Sequence, residues 1–233
     1  MSALKSRVVA MGELSPPEIA ALYDLFDECF VAERELFLRD LSQKNWVILL
    51  EDPEGGLQGF TTLSLYETTA CGRPLSVVYS GDTLVRPAYW GTMELPRSWI
   101  KTVLSLSAGM VQPLYWLLIT SGYRTYRFLP VFFREFYPRY DQPAPPELQA
   151  LLGELARARF GADFHCREGI VRFASGATPL RAGVAEVTEE RLKDPHIAFC
   201  LEKNPGHAQG DELVCLTLAH PDNLTAAGRR MLR

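Results

Sequence analysis

The sequence has no CxxC pair, no internal repeat, no low-complexity block and no surplus of basic charge, and each absence removes a class of function. Its five cysteines, Cys29, Cys71, Cys166, Cys200 and Cys215, are odd in number and widely spaced, which suggests neither a disulfide framework nor a zinc site. Reduced core thiols of a cytoplasmic protein are expected. The four histidines, His165, His196, His207 and His220, match no metal or triad spacing and read as loop or surface residues, so no metal is expected. A net charge of −4 argues against nucleic-acid binding. The most apolar tract, residues 102–120, is broken by Gly109, Gln112 and Pro113 and reads as a helix end followed by a buried strand, not a membrane span. The opening MSALKSRVVAMGELS carries no apolar stretch with a cleavage pattern, so secretion is not expected and a cytoplasmic location is.

What is present is a globular composition: 47% hydrophobic, 11% aromatic and 22% charged over 233 residues, enough for one core and an appendage. Ser15-Pro16-Pro17-Glu18 supplies a capping signature, and Ile19, Leu22, Leu25 and Phe26 follow at helical spacing. A second helix is expected over 33–41, strands over 45–52, 57–69 and 75–85, a helix from near Thr92 to Ser107, a strand over 113–121 and a short aromatic helix over 128–140. The proline-rich segment DQPAPPE after Tyr140 marks a boundary between a core, 1–140, and an extension, 141–233, packed on it. Within the extension, helices are expected over 147–161 and, broken near Pro195, over 189–205, with strands at 169–175 and 212–219. The fold class is therefore α/β.

The most informative stretch is SGDTLVRPAYWGTMELPRSW, residues 80–99. A strand that ends in a tight turn before a helix aims backbone N–H groups and the positive helix end at one place, an arrangement that suits phosphate. The element order over 14–140, with Val85-Arg86-Pro87 leading into Ala88, Tyr89, Trp90 and Gly91, resembles the GNAT superfamily of acyltransferases. That family receives its donor pyrophosphate in a Q/R-x-x-G-x-G/A loop after the fourth strand. In this chain Trp90 stands at the Gln/Arg position, and Met93 and Leu95 stand where the family has glycine.

The resemblance implies a mixed, largely antiparallel sheet flanked by helices, with a split between the fourth and fifth strands and a bulge near 80–83. It implies N-acyl transfer from acyl-CoA, or from the acyl-phosphopantetheine of an acyl carrier protein, to a small-molecule or peptide amine. Val85, Tyr89, Trp90, Gly91, Thr92, Met93 and Ser121 would meet the donor. Asp82, on the strand entering the loop, would take the amine proton, since a carboxylate among Val, Tyr and Leu must be paired or functional; capping the strand at Gly81 is its other reading. Tyr137 would protonate the leaving thiolate, against the alternative that it packs in an aromatic core. Glu67 is a second carboxylate, read mainly as surface. Residues 84–140 carry seven basic side chains (Arg86, Arg97, Lys101, Arg124, Arg127, Arg134, Arg139) against Glu94 and Glu135, a face that could steer an acidic carrier. The aromatics of 113–140 could line an acyl tunnel or pack the core. A non-catalytic binding or sensor protein and an autoinducer-synthase-like enzyme are the alternative functions.

Overall fold

The computed structural model describes residues 4–174, 178–181, 183, 184 and 186–233. A mixed, largely antiparallel sheet is flanked by helices on both faces. The chain begins with β1 (Lys5–Ala10), then α1 (Pro16–Cys29), α2 (Arg34–Leu41), β2 (Trp46–Glu51), β3 (Leu57–Ala70), β4 (Arg73–Val85), α3 (Glu94–Ala108) and β5 (Leu114–Thr120). It continues through α4 (Tyr123–Tyr126), α5 (Phe128–Phe132), β6 (Phe136–Tyr137), α6 (Pro146–Phe160), β7 (Phe164–His165) and β8 (Ile170–Val171). The last elements are α7 (Glu189–Leu192), α8 (Pro195–Lys203), β9 (Glu212–Leu218) and α9 (Ala226–Arg230). The sheet order is β1-β2-β3-β4-β5-β9-β8-β7, with β6 also on β9.

Local chemistry explains most of these elements. The Ser15 amide donates to Glu18 at 2.7 Å, closing the first turn of α1, and Leu22, Leu25 and Phe26 bury one stripe of that helix. β5 is buried along its whole length, as its unbroken apolar run requires of a central strand. In β2, β5 and β4 before its bulge, even-numbered residues such as Ile48, Val78, Trp116 and Leu118 pack with α3, α5 and α8 on one face. Odd-numbered ones face α1 and α2 (Val47, Leu49) or α6 (Val77, Leu117) on the other.

Three sequence expectations change. β1 was not foreseen: it is an edge strand with Arg7 and Val8 exposed and only Val9 buried, so its alternation is faint. It makes the strand entering the loop the fourth. The aromatic helix over 128–140 stops at Phe132, and Phe136 and Tyr137 instead pair with Thr217 and Leu216 of β9. Cys71 and Cys166 are exposed, so not every thiol lies in the core. Ser175, expected at the end of a strand, lies outside the described residues. The sheet itself runs across the 140/141 boundary, because β9 pairs with β5 from Tyr115↔Leu218 to Thr120↔Leu213. Among the described residues no helix is long and apolar enough to cross a membrane.

Candidate active site

β4 and β5 pair in parallel from Ser76↔Leu114 to Ser80↔Leu118, and the pairing ends there. The last pair is pinned by the Trp116 indole N–H, which donates to the Ser80 hydroxyl at 2.7 Å. Beyond it the strands part. On the other side of β4, Thr62 pairs with Gly81 and Phe60 with Leu84, so two residues, Asp82 and Thr83, stand opposite Thr61 alone. This is a β-bulge, and Asp82 takes φ +42°, a left-handed conformation that an Asp tolerates better than most residues. The bulge bends β4 away from β5. A cavity of about 560 Å³ fills the split, between residues 80–85 of β4, residues 119–125 at the end of β5 and beyond it, the loop 89–93 and Phe30 of the α1–α2 connection. Among the described residues no strand pairs with this stretch of the β4 edge that faced β5, so main-chain groups there that are not already taken, as the Val85 carbonyl is by Trp90, can meet whatever occupies the split.

At the Ser80 end of the split, its inner end, stands a charge cluster of which the sequence announced only Asp82. Asp82, Asp40 and Glu212 all line the cavity. Lys44, 4% exposed, reaches Asp40 at 2.7 Å and lies 5.0 Å from the Tyr79 ring centre. Burial raises the Asp82 carboxyl to about 7, and the neighbouring Asp40 charge pushes the same way against the opposing pull of Lys44. Glu212, from the start of β9, is lifted to about 8, again chiefly by burial and then by Asp82 and Asp40. The Thr62 hydroxyl lies 3.1 Å from the Gly81 carbonyl and 3.4 Å from Asp82. Carboxyls crowded near a single ammonium cannot all ionise cheaply, which is the direction in which Asp82 and Glu212 are shifted. Asp40 and Lys44 were hidden in a helix end that reads as ordinary surface, and Glu212 in the extension. Only their convergence on Asp82 marks them.

The loop end differs from the sequence expectation. Pro87–Tyr89 form a tight turn in which the Tyr89 N–H donates to the Arg86 carbonyl (2.9 Å) and the Trp90 N–H to Pro87 (3.2 Å). The Thr92 N–H donates to the Tyr89 carbonyl (3.0 Å) and the Glu94 N–H to the Thr92 hydroxyl (3.2 Å). These amides are turned inward, so they do not form the open phosphate cradle read from the sequence. The indole of Trp90 folds back to donate to the Val85 carbonyl at 2.7 Å, closing the strand end. The Glu94 carboxylate in the first turn of α3 is engaged as well, accepting from Ser6 at 2.7 Å and approaching Arg97 at 3.3 Å. The tight turn that Pro87 starts accounts for the change, and only the Gly91 and Met93 amides of the loop have no hydrogen-bond partner among the described residues. Gly91, at φ +99°, is the glycine this turn requires. Val85, Tyr89, Trp90, Gly91, Thr92 and Met93 nevertheless all line the cavity, as does Ser121.

Tyr137 is not at the cavity. Its short strand on β9 turns the hydroxyl to Glu135 (3.0 Å) and Gln142 (3.2 Å), and the ring is buried. Tyr79, Tyr89 and Tyr123 are the tyrosines lining the split. Glu67 is on the surface, accepting from Gln112 at 2.8 Å. His207, read as a loop residue, lines the cavity instead. Most of the 113–140 aromatics pack the core: Trp116 lies 4.1 Å from Trp99 and 5.3 Å from Phe128, ring centre to ring centre. Of the seven basic residues, Arg86, Arg97, Arg127 and Arg139 pair with Glu28, Glu94, Asp194 and Asp141.

The sheet is a run of seven strand pairs, six antiparallel and one parallel, split after a β4 bulge, which is the arrangement the resemblance to the GNAT superfamily implies. No family model matches the chain, and no curated protein matches it. Similar solved structures include a conserved Enterococcus faecalis protein described as a probable N-acyltransferase, 17% identical over 57% of this chain and 33% of that one, TM-score 0.41. A GNAT family N-acetyltransferase of Escherichia coli in complex with CoA is 19% identical over 55% of this chain and 69% of that one, TM-score 0.40. A Trypanosoma brucei acetyltransferase is 18% identical over 61% of this chain and 99% of that one, TM-score 0.40. The match thus spans about a third of the Enterococcus protein's length.

Proposed function

We propose that the split between β4 and β5 is the active site of an acyltransferase that moves an acyl group from a thioester of a pantetheine-type thiol to an amine. The observation that carries this reading is the bulge. It ends the β4–β5 ladder at Ser80↔Leu118 and sets Asp82 in the same opening as the unpaired strand edge. An extended pantetheine arm suits an unpaired strand edge, because its amides can take the places of the missing strand.

The amine nitrogen attacks the thioester carbonyl carbon, forming the C–N bond, and the C–S bond then breaks. Asp82 in its ionised form takes the proton that the amine loses, and the thiol leaves with a proton from the cavity. An N–H of the free β4 edge meets the oxyanion that develops on the carbonyl. With its carboxyl raised to about 7, Asp82 is ionised in part at neutral pH and is a stronger base than an ordinary aspartate. Tyr123, which lines the split just after β5, is the better placed proton donor to sulfur than Tyr137.

The inward-turned amides of Tyr89, Trp90 and Thr92 favour a second reading, a GNAT-fold protein that binds an acyl donor without turning it over. Mass spectrometry separates the two. Purified protein incubated with mixed acyl-CoAs, acyl carrier proteins and an amine pool should yield N-acyl products that disappear in Asp82→Asn. Donor binding without product supports the second reading.

A further inference from the structure

We propose that Arg124 and Arg191 form a phosphate seat at the mouth of the split and replace the loop amides as the hold on the donor's phosphorylated arm. The inference rests on the donor reading above but concerns different residues.

The Arg124 guanidinium lies over the Trp90 ring at 3.6 Å from its centre and 4.9 Å from that of Tyr123, and among the described residues its N–H groups have no hydrogen-bond acceptor. Trp90 is fixed in turn by its bond to the Val85 carbonyl. Among the described residues neither Arg124 nor Arg191 has a carboxylate within salt-bridge distance, although Arg86, Arg97, Arg127 and Arg139 each have one. Partial desolvation lowers the Arg124 pKa, and the neighbouring Arg191 charge acts in the same direction. Two like charges held together without a counter-charge are stabilised by an anion placed between them.

The position fits a particular anion. The split cavity meets a second hollow of about 700 Å³, and Tyr123, Arg124, Arg127 and Arg191 are common to both. A phosphate at that junction would leave the pantetheine arm in the split and the remainder of the donor outside. Arg127 is already matched by Asp194 at 3.0 Å, which leaves Arg124 and Arg191 for the ligand. Glu186 and Glu190 also line the outer hollow, so the seat is narrow and not a broad basic field. Trp90, where the GNAT motif has Gln or Arg, acquires a role here: it does not touch the phosphate but positions the arginine that does. The shared chemistry is a phosphopantetheine phosphate, whether carried by coenzyme A or by a carrier protein.

The test is the affinity of the full-length protein for pantetheine, 4′-phosphopantetheine, coenzyme A and a holo acyl carrier protein, by calorimetry. Phosphopantetheine is expected to bind about tenfold or more tightly than pantetheine, as a charge-assisted contact implies. That ratio should fall to near one in Arg124→Gln and in Arg191→Gln, stay intermediate in Arg124→Lys, and stay whole in Glu67→Gln, a remote surface control. Coenzyme A or the holo carrier binding more tightly than the free arm names the source, and either keeps the seat. A ratio that survives in the glutamine variants overturns it, and so does an equal loss of both ligands. Absence of turnover with intact, arginine-dependent phosphate preference defeats the transferase reading alone.

Discussion

The two ends of the split solve the same problem in opposite ways. At the inner end one edge of the backbone is open and the side chains are crowded: β4 loses its β5 partner after Ser80, and Asp40, Lys44, Asp82 and Glu212 gather where the strand bulges. At the outer end the backbone is closed and the side chains reach out. The amides of Tyr89, Trp90 and Thr92 are satisfied within their own turn, and Arg124 stands on Trp90. A fold therefore does not fix which kind of group recognises a ligand. A bulge, which leaves main-chain groups unpaired, hands recognition to the backbone, whereas a self-satisfied turn hands it to whatever side chain is stacked nearby.

The comparison can be broken most severely at its hinge. Trp116→Ala removes a ring that packs on Trp99, Phe128 and Phe133 and the indole that holds Ser80. It should destabilise the protein by about 3–5 kcal/mol, and denaturant unfolding measures it. The next effect is confined to the inner end. Asp82→Asn is expected to lower acyl transfer by about 10²–10⁴-fold while the fold persists. Wild-type rates should rise as pH passes upward through about 7, when the carboxylate forms, and the variant should lose that rise. Asp82→Gly gives a sharper version, because glycine accepts φ +42° freely and keeps the bulge while the base is gone.

Stability against pH supplies a subtler measure of the same cluster. Asp82 and Glu212 titrate higher in the folded chain, about 7 and about 8, than an unfolded Asp or Glu near 4. Their protonated forms favour the fold, so the contribution is complete below about pH 4 and is lost as pH climbs through 7 and 8. Melting temperature should therefore decline between pH 5 and 8.5 more steeply in wild type than in an Asp82→Asn, Glu212→Gln double variant. The smallest effect belongs to the outer end. Trp90→Ala should leave melting almost unchanged, since the ring is 38% exposed, yet weaken phosphopantetheine relative to pantetheine by releasing Arg124.

The sequence made the scaffold legible where a single element carries its own signal. The Ser15 cap, the apolar run of β5 and the Pro195 break between α7 and α8 each depend on neighbours in the chain, and each is where the residues said. β1 was silent because an edge strand with one buried residue has almost no alternation. The active-site reading divides in the same way. Asp82 was visible as a carboxylate out of place in a strand, and it lines the split. Asp40, Lys44, Glu212 and Arg191 were not visible, because what defines them is a meeting of α2, β9 and α7 that no local pattern records. Tyr137 was placed by analogy with a helix that here gives way to β6, and its hydroxyl turned elsewhere. The loop differs for another reason: the turn at Pro87–Tyr89 is where the residues said, but it satisfies the amides of Tyr89, Trp90 and Thr92 with its own carbonyls.

Amide hydrogen exchange with and without an acyl-CoA tests the central claim, that the split receives the donor, most directly. Exchange should slow at residues 81–85 and 119–124 and stay unchanged on the distant β1 edge. Protection confined to other regions, or none at the split under saturating ligand, would contradict it.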